Sequence, residues 1–241
     1  MTDTARRTDP APRGTGRRRS AGARVLTVIG VLLLVLGVGC FGYVGYQLFG
    51  TNAASHRSYQ SERDRLKQQW QVGDSDGEDS DAVDRTPATT IGGNAIALLS
   101  IPAIGVTEVP VLEGTDDEVL ARGIGHYTKT ADPGQIGNFA VAGHRITHGE
   151  PFAKLLDLTT GDRVIVETRS AIYIYRIDTS PRKLTVNDTE GWVLDPVPGK
   201  PGTEPTERLI TLTTCQDLFH SPDRSVGFGT LLKTTQKSGH R

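Results

Sequence analysis

"RLITLTTCQDLFHSPDRSVGFGTLLKTT", residues 208–235, is the stretch on which the reading of the fold turns. In its first eight residues Leu209, Thr211, Thr213 and Cys215 fall on one face and Ile210, Leu212 and Thr214 on the other. That period of two is a strand's. "QDLFHSPD" (216–223) then forms a turn-rich loop, and Arg224 opens a second run that ends in "GFGTLLKTT". An antiparallel pairing of the two runs sets Cys215 and Arg224 at the same end of a sheet.

The same texture extends upstream. "AIALLSIPAI", "VTEVPVLEG", "NFAVAGH", "DRVIVETR" and "AIYIYRID" are short apolar or alternating runs bounded by Gly, Pro, Asn and Asp, and they read as strands. Two short helical pieces interrupt them, around "DDEVLARG" (116–123) and "EPFAKLLDL" (150–158), with no regular βαβ alternation. The expected fold is mostly β: a closed, largely antiparallel barrel of about eight strands over residues 93–241, since closure removes exposed edges. There is no internal repeat.

Ahead of the barrel the chain changes character. Residues 25–49, "VLTVIGVLLLVLGVGCFGYVGYQLF", carry no charge and are long enough to cross a hydrocarbon core as a helix. A cleaved signal peptide has the same charge order but a shorter apolar region, so the uninterrupted length favours a retained anchor. Residues 1–24 hold seven arginines against two aspartates, which places this tail in the cytoplasm and the remainder of the chain outside. Anchoring to anionic headgroups accounts for the arginines.

The overall charge of −1 averages two compartments: beyond the tail, 20 basic residues face 26 acidic ones. An outer portion of that sign excludes a nucleic-acid binder, which neutralises phosphates with clustered cations. "SHRSYQSERDRLKQQWQ" (55–71) lacks Gly and Pro and suits a short helix or stalk; "GDSDGEDSDAVDRTP" (73–87) is too acidic to bury a core and reads as a flexible linker within residues 50–92. Its acids lack the spacing of a calcium loop.

Of the two cysteines, Cys40 lies in the apolar run and Cys215 far outside it, so no internal disulfide is expected and the lone exported thiol stands out. A thiolate is the nucleophilic form of cysteine, and a nearby cation favours it. Arg224 offers a charged fork of donors suited to an oxygen gaining negative charge. A proton carrier completes such a site, and His144 in "NFAVAGHRITHGEPF", where a strand runs into Gly143 and then the imidazole, is the candidate among six histidines. Each residue alone has a bland reading as buried thiol, surface charge or solvated ring; their combination is what points to nucleophilic catalysis.

With "TLTTC" followed nine positions later by arginine, "VAGHR" upstream, "GIGHYTKT" and "PGQIGN" between, and "SIPAIGVTEVPVLEG" at the domain start, residues 97 to about 234 resemble a sortase of the class E type found in high-GC Gram-positive bacteria. The resemblance implies a cysteine transpeptidase needing no cofactor or metal. Its partners would be the membrane, secreted proteins bearing a C-terminal sorting signal, and a cell-wall precursor amine. By motif, Cys215 would attack the Thr–Gly carbonyl of an LAxTG- or LPxTG-like signal and form a thioester, His144 would serve as general acid and base, and Arg224 would stabilise the oxyanion or orient the substrate backbone. Tyr127 in "GHYTKT" would line the signal-binding groove, and Thr214 would set a hydroxyl beside the acyl group; packing explains these two nearly as well. The sequence departs from the family where a proline commonly stands two positions after the cysteine: Gln216 and Asp217 follow it here.

Rival readings remain open. His144 and His148 stand at i, i+4 like paired zinc ligands, but Arg145 replaces the glutamate of H-E-x-x-H and the flanking Gly143 and Gly149 oppose a helix. An L,D-transpeptidase would carry a Ser-His-Gly-type stretch that "TLTTC" lacks. A pilus-polymerising sortase and an inert membrane-tethered wall-binding module are the further alternatives.

Overall fold

The computed structural model describes residues 21–46, 50–75, 94–215 and 222–237, with Ala21, Ala23, residues 72–75 and Cys215 given by backbone alone. Two compact units result, residues 1–44 and 45–241. The first contains most of α1 (Ala21–Gly45), of which Arg24–Gly45 is long and apolar enough to cross a membrane. Its apolar side chains are exposed almost throughout, Leu34 and Leu36 among them, as expected of a helix whose partner is lipid. The expected cytoplasmic tail and the acidic part of the linker lie outside the described residues, apart from the few that end up in α1 and in the second helix, α2 (Thr51–Ser75).

Among the described residues of the second unit nine strands form one sheet: β1 (Ala95–Ile101), β2 (Val106–Glu113), β3 (Ile124–His126), β4 (Gly137–Ala142), β5 (Arg163–Glu167), β6 (Ala171–Thr179), β7 (Thr185–Asn187), β8 (Arg208–Cys215) and β9 (Asp223–Gln236). The order β6-β5-β1-β2-β3-β4-β8-β9, with a further pairing of β6 to β9, closes an eight-stranded barrel, and β7 adds to the far end of β9. Pairings are antiparallel except β2 with β3 and β4 with β8. This is the mostly β, closed barrel expected from the sequence.

The core follows from the strand period. Leu99 and Ile101, Phe139 and Val141, Val164 and Val166, and Ile210 and Leu212 are buried pairs two residues apart, and together they fill the barrel. Each contributes about 1.5–3 kcal/mol by leaving water. Two short strands, β3 and β7, were not among the runs read as strands; three residues are too few to show a period. Of the two expected helical pieces, the first is α3 (Asp117–Leu120), capped by Asp116, whose side chain accepts from Val119 N. The second is only a 3-10 turn at Leu155–Asp157.

The helix expected at 55–71 runs longer, as α2, and lies against the barrel. Ser55, Tyr59 and Leu66 form its buried stripe, and Tyr59 joins the barrel core. Around that stripe Glu62 pairs with Arg122 at 2.5 Å and Lys67 with Glu108 at 2.8 Å. At the other end Trp70 lies under Lys237, whose ammonium is 4.2 Å from the ring centre. Half-exposed pairs of this kind contribute about 0–1 kcal/mol each; the buried stripe does the holding.

Candidate active site

The backbone brings the three expected catalytic residues to one end of the barrel. In the antiparallel pair β8–β9, Cys215 is registered directly with Arg224. On the other side, β4 runs parallel to β8 with Ala142 level with Thr213, and two contacts carry that alignment past the strand end. Gly143 N donates to Thr213 O at 3.1 Å, and Thr214 Oγ1 donates to Gly143 O at 2.9 Å. His144 follows two residues beyond Ala142, the last residue of β4 registered with β8. Cys215 thus ends the middle strand of three, paired with Arg224 on one side and with the end of β4, two residues ahead of His144, on the other.

Why the chain folds this way at His144 is visible in Gly143. A Cβ there would lie 2.6 Å from Phe152 Cδ2, so only glycine lets the phenylalanine close over the end of β4. Phe152 N in turn donates to His144 O at 3.0 Å, which anchors the backbone of the histidine. The His144 ring is half-buried, and its Nε2 is inaccessible to solvent without a hydrogen-bond partner among the described residues. Against its face lies His148, with ring centres 5.0 Å apart and planes inclined by 30°. Rings stacked in this way do not aim lone pairs at a common point, which is what a shared zinc ion would need.

Burial holds the His144 imidazole below its ordinary value of 6.5, His148 adds to the effect, and Asp117 opposes it. The ring is therefore neutral at pH 7 and takes up its proton only as the pH falls below 6.5. Because the unfolded chain binds that proton more readily, the stability linked to this group is complete above 6.5 and is lost as the pH falls through the folded value. NMR titration of the His144 ring signals should give a midpoint below 6.5; a midpoint above it contradicts the burial argument.

Residues 147–150, just beyond, adopt a run of left-handed backbone: Thr147 (φ 66), His148 (φ 50), Gly149 (φ 78) and Glu150 (φ 47). Each non-glycine position of this kind costs about 1–3 kcal/mol and persists only where the surroundings impose it. This turn also explains why the helix expected from residue 150 is absent.

Arg224 is partly exposed; its guanidinium donates to Asp223 O at 3.2 Å and meets Asp188 Oδ2 at 3.5 Å. Tyr127 OH lies 3.2 Å from Thr213 Oγ1, and Thr213 itself donates to Val141 O at 3.1 Å, so the tyrosine is the donor. Sequence reasoning singled out Thr214 and missed Thr213, although the same "TLTTC" run contains both. The Thr214 hydroxyl is buried and spent on Gly143 O.

One further group of metal-ligating residue types occurs among the described residues: Glu113, His126 and Asp132. His126 Nδ1 is 3.2 Å from Glu113 Oε2, while Nε2 is 3.2 Å from Ala131 O and 3.1 Å from Thr130 Oγ1. Both ring nitrogens are engaged by protein oxygens, so the histidine offers an ion no lone pair in this arrangement. A groove of about 330 Å³, lined by His56, Tyr59, Glu108, Glu150 and Lys154 among others, separates α2 from β2 and takes no lining from β4, β8 or β9.

The chain has relatives among known proteins. The family model described as the sortase domain matches residues 99–232, the span from β1 into β9. The chain is 36% identical to Sortase SrtE1 of Streptomyces coelicolor across 94% of its own length and 63% of that relative's, just under two thirds. It is 30% identical to Sortase SrtE2 of the same organism, across 100% of this chain and 96% of that one. The solved structure of sortase E from Streptomyces avermitilis is 43% identical, superposes with a TM-score of 0.53, and covers 60% of this chain and 91% of its own. Barrel, apolar N-terminal helix and matched span lead to one assignment: the chain belongs to the sortase family of cysteine transpeptidases and is of the class E type.

Proposed function

We propose that the protein is anchored by α1 with its arginine-rich tail in the cytoplasm, and that its barrel sorts secreted proteins to the cell wall. Cys215 passes its thiol proton to the neutral His144 and the thiolate attacks the Thr carbonyl of an LAxTG- or LPxTG-like signal; the Thr–Gly bond breaks, and His144 hands that proton to the departing glycine amine. A wall-precursor amine then attacks the thioester, passes a proton to His144 and displaces the thiolate. Both halves pass through a tetrahedral oxyanion, and Arg224 supplies the donors that meet it. The observation that supports this reading is the register of Cys215 with Arg224, together with the pairing of β8 on its other side with β4, the strand that ends two residues ahead of His144.

Tyr127 is assigned to the signal-binding groove: its hydroxyl is fixed on Thr213, two residues from Cys215, which orients the ring edge. Thr214 serves the acyl site through Gly143, tying the residue before His144 to the residue before Cys215. The seven arginines of residues 1–24 support the orientation, by the bias of positive charge toward the cytoplasmic side. Housekeeping attachment is preferred to pilus polymerisation, because the segment ahead of the barrel carries no evident lid motif.

The test is incubation of the full chain, in detergent, with a fluorogenic sorting-peptide library and an amine acceptor, following cleavage and ligation together. Ligation dependent on a Thr–Gly signal is expected. Absence of both products, with Cys215 inert to a sorting-peptide vinyl sulfone, would make the barrel a binding module instead. In the same assay Arg224→Ala should lower kcat by about 10²–10³-fold, the usual effect of removing an oxyanion donor. Arg224→Lys should remain impaired, since an ammonium cannot reproduce the guanidinium fork; wild-type turnover in either variant removes Arg224 from the chemistry.

A further inference from the structure

The geometry points to α2 as part of the catalytic apparatus: Asn52 and Tyr59 are positioning residues that hold the 147–150 turn so that the His148 ring buttresses His144. This inference rests on the proposed role of His144 as proton carrier and goes beyond it, because it gives a function to the helix that follows the membrane-spanning segment.

The connection is continuous. Within itself the left-handed turn has one backbone bond, Glu150 N to Thr147 O at 3.1 Å, Ala153 N donates to Glu150 O at 3.0 Å, and further support comes from α2, about ninety residues away in sequence. Asn52 Oδ1 accepts from Gly149 N at 2.9 Å while its Nδ2 donates to Glu150 Oε1. Tyr59 OH donates to His148 O at 2.6 Å. Gly149 is glycine for two reasons: its φ is positive, and a Cβ would lie 2.8 Å from the Tyr59 ring, which packs directly on the backbone there.

Tyr59 is 7% exposed and belongs to the barrel core, so this contact is built into the fold. Burial, with Glu150 adding to it, pushes the Tyr59 phenol well above its ordinary value and keeps it a neutral donor. From the turn, His148 reaches His144 by the 5.0 Å ring stack, with its own Nδ1 3.0 Å from Thr147 Oγ1. Gly143 and Phe152 fix the backbone of His144, and His148 bounds one face of its ring. A proton carrier displaced by about 1 Å loses about 10²-fold in rate, which is the scale of effect this bracing guards against.

Asn52→Ala, Tyr59→Phe, His148→Ala and His148→Phe, made in the full chain and assayed in detergent beside His144→Ala, decide the matter through kcat, KM and melting temperature. Asn52→Ala, Tyr59→Phe and His148→Ala should each lower kcat about 10-fold or more and leave KM within about twofold. Asn52→Ala combined with His148→Ala should be no worse than His148→Ala alone, because the two act in series. His148→Phe, which keeps a ring face, should retain kcat within about threefold of wild type.

A lowered melting temperature with unchanged kcat in Asn52→Ala and Tyr59→Phe would make α2 a purely structural brace and overturn the inference. So would His148→Phe performing as badly as His148→Ala. Should a helix variant fail to fold, the two His148 substitutions still decide between these outcomes. Wild-type turnover in His144→Ala would instead sink the catalytic reading itself, and is distinguishable from either result.

Discussion

Cys215→Ala is expected to abolish both cleavage and ligation of a sorting peptide, by about 10⁴-fold or more, while the barrel stays folded. Both halves of the proposed reaction pass through the sulfur, and the members of such a unit fail together when the nucleophile is lost. Alanine changes nothing in the backbone register that Cys215 makes with Arg224 at the end of β8. Stability should therefore shift by no more than about 1 kcal/mol. Single-turnover assays with thermal denaturation of the same sample separate the two quantities. Residual ligation near the wild-type rate would mean that another residue carries the acyl group; Cys40, in the apolar helix of the other unit, is the remaining thiol of the chain.

His144→Ala should lower kcat by about 10²–10⁴-fold, the range that positioned acid–base groups contribute. Its effect divides between two steps: the glycine amine departs without a proton, and the entering amine attacks without a base. A peptide analogue whose leaving group needs no proton, such as an activated thioester, should recover much of the acylation rate in the variant, yet ligation should stay slow. Equal losses for both substrates would show that the histidine shapes the site without carrying protons. Melting temperature is the control here too, since removal of the ring opens the stack with His148.

The barrel was legible because its interior imposes a period of two on every long strand: Val164 with Val166 and Ile210 with Leu212 are both apolar and both buried. β3 and β7 were not, because three-residue strands borrow their existence from neighbours, β2 on one side and β9 on the other. The docking of α2 was hidden for a similar reason. Its buried stripe has two apolar members, Tyr59 and Leu66, and the contacts around it are ion pairs to residues far along the chain, which leave no periodic trace. Of the site, the Cys215–Arg224 neighbourhood could be read from one hairpin. His144 needed its motif, since the parallel β4–β8 pairing joins segments some seventy residues apart. His148 was weighed only as a metal ligand; the left-handed turn that lays it on His144 depends on Asn52 and Tyr59, and nothing local to "RITHGE" announces them.

The last strand has a consequence for biogenesis. β9 is the partner of β6, β7 and β8 at once, and it carries the arginine that faces Cys215. Until residues 223–236 reach their place, β6 and β8 present open edges, and the barrel has neither a closed wall nor Arg224 beside the end of β8. The barrel therefore closes only when β9 docks: a chain clipped ahead of residue 223 is edge-exposed, and quality-control proteases can recognise it by that edge alone.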